Sequence, residues 1–182
     1  LSRQIRQYLG GNPGAYSFFS KPGENPDTDG RCVKVDPNLK NIRPYIAAFA
    51  VTGPPVSDAF LKDLIQTQEK LCWNYGRKRK SIAMGVYRSD LIEYPVLYTA
   101  ADPDKTRFVP LGMDREMSLR EINREHPKGK EFGPIVENFP LFPYLTDARG
   151  ETLSNPPVIN SARIGAVEVG DTNLFIELTG TD

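Results

Sequence analysis

Residues 174–179 alternate in an extended chain. Leu174, Ile176 and Leu178 fall on one side; Phe175, Glu177 and Thr179 fall on the other. The first side is wholly apolar and reads as core. The second sets a carboxylate two residues from a hydroxyl, a pair that binds a polar group, positions a water, or simply sits in solvent on a half-exposed strand. Spacing alone favours the solvated reading. Upstream, Phe60, Leu61, Leu64, Ile65, Leu71, Cys72 and Tyr75 fall on one helical stripe. Ser57 is its expected N-cap, with Asp58 in the first turn and Gly76 as its stop. Residues 45–51 read as a buried strand ended by Gly53, Pro54 and Pro55. Residues 81–87 form another, with Ile82, Met84 and Val86 on one face. Strands are also expected at 95–100 and 141–146, and a turn at 102–108 leads into a short extended piece. Ser118 and Glu121 have the spacing of a capping box opening a short helix up to His126. A second short helix is expected over 130–137, with Phe132, Ile135 and Val136 on one face. The turn at 147–150 leads into 151–154, where Asn155, Pro156 and Pro157 break the pattern. Residues 164–169 and 174–179 read as a hairpin across 170–173.

Strands outnumber helices and their connections are hairpin-like, so the expected class is α+β, mostly antiparallel sheets packed with a few helices. Residues 1–9 read as the end of a helix, with Ile5 and Leu9 at i, i+4. Residues 10–29 are rich in Gly and Pro and read as a linker or irregular arm. The expected organisation is therefore a helix end plus linker over 1–30 and a body over 31–182.

Composition adds exclusions. The 182 residues carry 23 basic and 23 acidic side chains, so no global charge draws the chain to nucleic acid or membrane, and any such contact must be local. Cys32 and Cys72 are the only cysteines and form no Cys-x-x-Cys pair; no disulfide framework or zinc cluster is expected, which suits a reducing cytoplasm. Signal peptide and membrane-length apolar runs are lacking. A start on Leu1 and an end on a strand are expected of a piece of a longer protein.

His126 is the only histidine. At a helix end it is favourable for dipole reasons alone, so a catalytic role is not expected of it. One His and two distant Cys build no usual metal site, and the phosphate-binding glycine motifs are absent. Arg77, Lys78, Arg79 and Lys80, with Lys70, make the clearest basic cluster. It either complements a helix C-terminus in solvent or holds a phosphate backbone. Trp73 and Tyr75 just before it are able to stack on bases, though core packing is the expected place of both.

Four blocks carry a family resemblance. Leu64-Ile65-Gln66-Thr67-Gln68-Glu69-Lys70-Leu71 followed by Arg77-Lys78-Arg79 resembles a "LQEKLH…RKR" helix and turn. Tyr98-Thr99-Ala100 resembles "YTA". Pro140-Leu141-Phe142-Pro143 with Leu153-Ser154-Asn155-Pro156-Pro157-Val158-Ile159-Asn160 resembles "PLYP…LSxPPIIN". Asn173-Leu174-Phe175-Ile176-Glu177-Leu178-Thr179-Gly180-Thr181-Asp182 resembles "NIFIExTGTD". In this order, over about residues 40–182, they resemble the β subunit of phenylalanyl-tRNA synthetase in its archaeal/eukaryotic type. Residues 161–172 lack the "GDHSRIT" type sequence of eukaryotic members and Trp73-Asn74-Tyr75 is atypical, which points to a divergent branch, such as a bacterium carrying this subunit type.

The resemblance implies that 1–30 is the end of a preceding module with its linker and that 31–182 is the editing module, which in the family hydrolyses mischarged Tyr-tRNA(Phe) by water attack on the aminoacyl ester. By motif, the family's site residues fall on Leu145, Ser154, Glu177 and Thr179; archaeal members often have Asp where Glu177 stands. The implied roles are Glu177 on the tyrosine hydroxyl or amino group, Thr179 and Ser154 on the ester or attacking water, and Leu145 on the ring. Lys70, Arg77, Lys78, Arg79 and Lys80 are implied to hold tRNA. The implied partners are tRNA(Phe) and the synthetase α subunit, in a cytoplasmic heterotetramer without membrane contact. This segment is implied to need no cofactor or metal, with ATP and Mg at the synthetic site of the whole enzyme. The alternative is a non-catalytic module of the same synthetase that binds tRNA or braces the subunits after losing editing.

Overall fold

In the computed structural model, residues 5, 8–10 and 30–181 are described. The chain divides into two units, Leu1–Arg31 and Cys32–Asp182. In the first, Ile5 and Tyr8 are helical, and the expected Pro/Gly-rich arm over 11–29 lies outside the described residues. All that follows concerns the second.

Its elements in order are β1 (Val33–Val35), β2 (Tyr45–Thr52), α1 (Asp58–Trp73), β3 (Ile82–Arg88), β4 (Val96–Ala101), β5 (Arg107–Phe108), β6 (Met117–Ser118), α2 (Leu119–Glu125), α3 (Pro127–Phe132), β7 (Phe142–Thr146), β8 (Thr152–Asn155), β9 (Ile159–Asn160) and β10 (Asn173–Gly180). One sheet runs β1-β4-β7-β8-β9; a second runs β2-β10-β3; β5 and β6 form a short pair. Every pairing is antiparallel except β1 with β4. The chain is thus α+β with mainly antiparallel sheets.

Local signals act where expected. Ser57 Oγ accepts from the Phe60 N–H and starts α1. Ser118 and Glu121 make both bonds of the capping box and start α2. His126 links α2 to α3: its Nδ1 accepts from the Lys128 N–H, which leaves Nε2 to donate to the Leu111 carbonyl at 3.1 Å. Both ring nitrogens are therefore spent on structure. Pro127 then opens α3 at a position where its missing N–H costs nothing. Because of it the second short helix begins earlier than 130, and from Gly133–Ile135 the chain tightens into a 3₁₀ turn.

Three expectations fail for tertiary reasons. Residues 164–169 form no strand; β10 lies between β2 and β3, pairing along its whole length with β2. Backbone bonds from the Val56 N–H to Asp171 and from the Gly170 N–H to Val56 hold the approach to β10 in loop form. β2 is an edge strand rather than a buried one. Helix α1 packs on β3, and Tyr45, Phe49 and Val51 of β2 stay exposed. Trp73 and Tyr75 are also exposed, at 51% and 71%, because α1 ends at Trp73 and Tyr75 lies beyond its apolar stripe.

Two apolar clusters flank the β2-β10-β3 sheet. Tyr98, Leu145, Leu153 and Ile164 meet Tyr87 and Phe175 on one face. Leu61 and Leu64 of α1 meet Val86, Leu174 and Ile176 on the other. Both faces of β10 are consequently buried, including the one expected to face solvent.

Candidate functional site

Glu177 sits at the centre of β10, opposite Gly85 of β3 and Ala48 of β2. It is 2% exposed. Strand alternation puts it on the same face as Phe175, so its carboxylate enters the space between the two sheets. On the facing sheet, Tyr98, Leu145 and Ser154 are cross-strand neighbours, which brings the Ser154 hydroxyl toward Glu177. Tyr87 joins the two residues. Its phenol oxygen is 2.9 Å from Glu177 Oε1 and 2.8 Å from Ser154 Oγ. A phenol carries one proton. With Glu177 ionised, the chain that satisfies all three groups runs from the Ser154 hydroxyl to the Tyr87 oxygen and from the Tyr87 hydroxyl to Glu177 Oε1. The second carboxylate oxygen, Oε2, is buried and has no hydrogen-bond partner.

Gly85 makes this possible. Tyr87 is on the same face of β3 two residues on, and its hydroxyl end folds back across Gly85. A Cβ there would fall on the Tyr87 hydroxyl and 2.5 Å from Glu177 Oε1. Gly85→Ala is therefore expected to displace both groups and to cost about 2 kcal/mol, in the range of core overpacking. Urea unfolding of the variant checks this; an unchanged midpoint would show that the site has slack.

A cavity of about 310 Å³ opens beside this centre. Glu177, Tyr87, Gly85 and Ser154 line one part; Leu61, Leu64, Met84, Val86, Pro157 and Val158 supply apolar wall. Apolar walls with a few converging polar groups are the usual form of a small-molecule site. Electrostatics agree with the geometry. Burial pushes the Glu177 carboxyl up to about 7, against the Tyr87 hydrogen bond and the Arg43 charge, which pull it down. Burial, and then the Glu177 charge, hold the Tyr87 phenol well above its ordinary range.

Other residues implied by the resemblance lie elsewhere. Thr179 is fully buried on the face of Glu177, but its hydroxyl accepts from Arg43 Nε at 3.0 Å and its carbonyl from Nη2 at 2.6 Å. Leu145 is a core residue beside Ser154. Neither is among the side chains lining the cavity. The basic run is split by its backbone. Arg77, Lys78 and Arg79 take φ of 49°, 56° and 67°, a left-handed turn that is unfavourable for residues with a Cβ. Arg79 is turned inward, donating to the Pro157 and Val158 carbonyls at 3.0 and 3.2 Å with its guanidinium 4.0 Å above the Phe132 ring. Lys70, Arg77, Lys78 and Lys80 remain exposed.

Along its full 182 residues the chain is 50% identical to the phenylalanine–tRNA ligase β subunit of Borreliella burgdorferi (strain ZS7), covering 100% of this chain and 32% of that one. Identity to the same subunit of Borrelia turicatae (strain 91E135) is 52% over 182 residues, with the same coverage of 100% and 32%. Along its whole length the chain matches phenylalanine–tRNA ligase β subunits. It spans 32% of the length of these curated relatives. The crystal structure of an N-terminal fragment of the phenylalanyl-tRNA synthetase β subunit from Pyrococcus horikoshii superposes with a TM-score of 0.81 at 39% identity, over 84% of this chain and 44% of that one. No family model matches the chain.

Of the residues that build the site, the sequence pattern alone does not mark Tyr87, Gly85 and Arg43. A glycine inside a strand signals close approach of another group, so Gly85 was a readable cue. Tyr87 and Arg43 gave none, since their roles rest on contacts 90 and 136 residues away.

Proposed function

We propose that the cavity beside Glu177 is an editing site that hydrolyses Tyr-tRNA(Phe). The observation that carries this reading is a buried carboxylate with one oxygen held by Tyr87 and the other unpartnered, at the edge of an apolar cavity. A tyrosyl ring fits between the apolar walls, and its phenol O–H donates to Glu177 Oε2. A phenylalanyl ring in the same place leaves that oxygen unpaired. Sites built to hydrogen-bond a hydroxyl reject the analogue lacking it by roughly 10⁴-fold or more. The Ser154 hydroxyl, fixed by Tyr87, is placed to orient the ester or the attacking water. Water oxygen bonds to the ester carbon, the bond to the ribose oxygen breaks, and that oxygen leaves with a proton as the tRNA hydroxyl. Leu145 and Thr179 act from behind: Leu145 packs next to Ser154, and Thr179 holds Arg43, whose charge favours the ionised Glu177.

The whole ligase in this reading is a cytoplasmic heterotetramer with an α subunit and tRNA(Phe) as partners. Among the described residues no group of three or more His, Cys, Asp or Glu is arranged to hold a metal ion. In this reading ATP and Mg belong to the synthetic site elsewhere in the enzyme, and no step here passes through them. Among the described residues no helix is long and apolar enough to cross a membrane.

Deacylation of preformed Tyr-tRNA(Phe) by the complete ligase tests the reading. Glu177→Ala is expected to slow it about 10²-fold or more, in line with loss of a buried polar recognition group, with phenylalanine activation unchanged. Deacylation at the wild-type rate would sink the assignment and favour a non-catalytic, bracing module.

A further inference from the structure

Two hydroxyls and a carboxylate form a chain along the cavity. Ser154 Oγ lies 2.8 Å from the Tyr87 oxygen, which lies 2.9 Å from Glu177 Oε1, and all three residues line the space. Tyr87 is fully buried, with its ring centroid 6.0 Å from that of Phe175 and its hydroxyl end folded across Gly85, so its oxygen is fixed between the other two groups. Each hydroxyl carries one proton, and the direction of the chain is therefore set at its carboxylate end. An ionised Glu177 only accepts. Tyr87 then donates to it, Ser154 donates to Tyr87, and toward the cavity the Ser154 oxygen offers lone pairs alone. A protonated Glu177 no longer imposes that direction. Its own O–H can donate to the Tyr87 oxygen, which turns the Tyr87 proton to Ser154 and the Ser154 proton into the cavity.

An acceptor-only hydroxyl excludes one role and suits another. A carbonyl oxygen gaining negative charge needs a donor, which Ser154 does not supply while Glu177 is ionised. An attacking water needs an acceptor for one of its protons, so that a lone pair stays aimed at the ester carbon. We propose that Tyr87 is a positioning residue for the deacylation: it relays the charge of Glu177 to Ser154 and fixes the Ser154 oxygen as the acceptor that aims the attacking water. Ser154 takes no proton itself. One water proton leaves on the ribose oxygen and the other stays on the carboxylic acid formed. This rests on the editing reading and deepens it, because Ser154 is given the water rather than the ester carbonyl.

Hydrolysis of Phe-tRNA(Phe) isolates the relay, since a phenylalanyl ring makes no bond to Glu177 Oε2. The titratable and charged groups around Glu177 are Tyr87 from β3, Tyr98 from β4, Arg43 before β2 and Cys72 near the end of α1. Arg43 stays charged, and burial holds both phenols and the Cys72 thiol above their ordinary values. Glu177, raised to about 7, is the group that titrates near neutrality. In the complete ligase without ATP, after subtraction of uncatalysed hydrolysis, kcat is expected to fall about tenfold as pH drops from about 8 to about 6, the worth of one hydrogen bond. Tyr87→Phe keeps the ring and cuts the relay. Its kcat should start about tenfold lower and lose that acid limb, with KM unchanged. Ser154→Ala removes the far end of the chain and should give the same flat profile. A side chain that only props the fold would lower the rate without flattening the profile, and phenylalanine activation by the same preparations shows that the ligase is intact. An acid limb kept by Tyr87→Phe, or missing from the wild type, overturns the relay and leaves the editing reading in place. A raised KM with unchanged kcat puts Ser154 on the amino group and overturns it too. Wild-type hydrolysis of Tyr-tRNA(Phe) by Glu177→Ala removes the editing reading and the relay with it.

Discussion

Glu177→Gln is expected to stabilise the protein by roughly 3 kcal/mol at pH 8 and to change its stability little at pH 4. The reason lies in what burial does to this carboxyl. Its ordinary value of 4.5 is raised to about 7 in the folded chain, with burial the largest cause and the Tyr87 hydrogen bond and Arg43 charge opposing it. An unfolded chain releases this proton near 4.5; the folded chain keeps it until about 7. Between those values the native state binds more protons than the unfolded state, so stability falls as pH rises through the window. Below it both states are protonated and nothing is lost. Above it the native state carries an ionised carboxylate with an unpartnered Oε2, and the loss is complete. A Gln side chain stays neutral throughout and still accepts from Tyr87 through its amide oxygen. Urea unfolding of both proteins at intervals from pH 4 to pH 8 measures the difference directly. Parallel profiles would mean that the native carboxyl ionises at its ordinary value and that the site is wetter than its burial implies. The same substitution removes the acceptor proposed for the tyrosyl hydroxyl. Stability gained and discrimination lost in one variant is the signature of a residue kept for function at a cost to the fold.

The candidate site was legible only where local chemistry specifies it. Alternation placed Glu177 and Thr179 on one face of β10, and that placement holds. What covers the face is decided by residues far away in sequence: Tyr98, Leu145 and Ser154 arrive from another sheet. A period-2 pattern does not distinguish a polar face in solvent from one over a polar cavity, and so Glu177 read as solvated. The failed hairpin over 164–169 has the same origin. Turn residues at 170–173 favour local pairing, yet long-range pairing with β2 and β3 satisfies β10 on both edges. Capping signals fared better because they are complete within four residues, as at Ser118 and Glu121. The basic run shows both limits. Its composition was plain, but three consecutive left-handed residues turn Arg79 inward and leave its neighbours outside, and no propensity scale anticipates that conformation for Arg or Lys.

Replacement of Arg43 by Met is expected to destabilise the protein by about 4 kcal/mol and to move the ionisation of Glu177 further upward. Arg43 is 1% exposed. Its guanidinium donates to the Thr179 hydroxyl at 3.0 Å, the Thr179 carbonyl at 2.6 Å and the Lys80 carbonyl at 3.1 Å, while its own carbonyl accepts from the Tyr98 hydroxyl at 2.8 Å. The side chain therefore ties the end of β10 to the turn before β3, and the backbone carbonyl ties the same residue to β4. Burial pulls the guanidinium below its ordinary value, with the Glu177 charge among the causes that oppose it, but an arginine remains protonated at any pH a folded protein meets. Met fills much of the volume and supplies no donor. Two carbonyls and a hydroxyl would lose their partner in the interior, each at about 1–3 kcal/mol. The charge that favours ionised Glu177 would go as well. Arg43→Met should thus show a lower urea midpoint at every pH, and its pH-dependent loss of stability should extend above the wild-type window. Arg43→Lys separates the two effects: it keeps the charge near Glu177 but cannot reproduce the three-way fork. It should recover the wild-type pH window while remaining less stable. If Arg43→Met alters neither stability nor that window, Thr179 is not held by Arg43 in solution, and its hydroxyl is free to face the cavity after all.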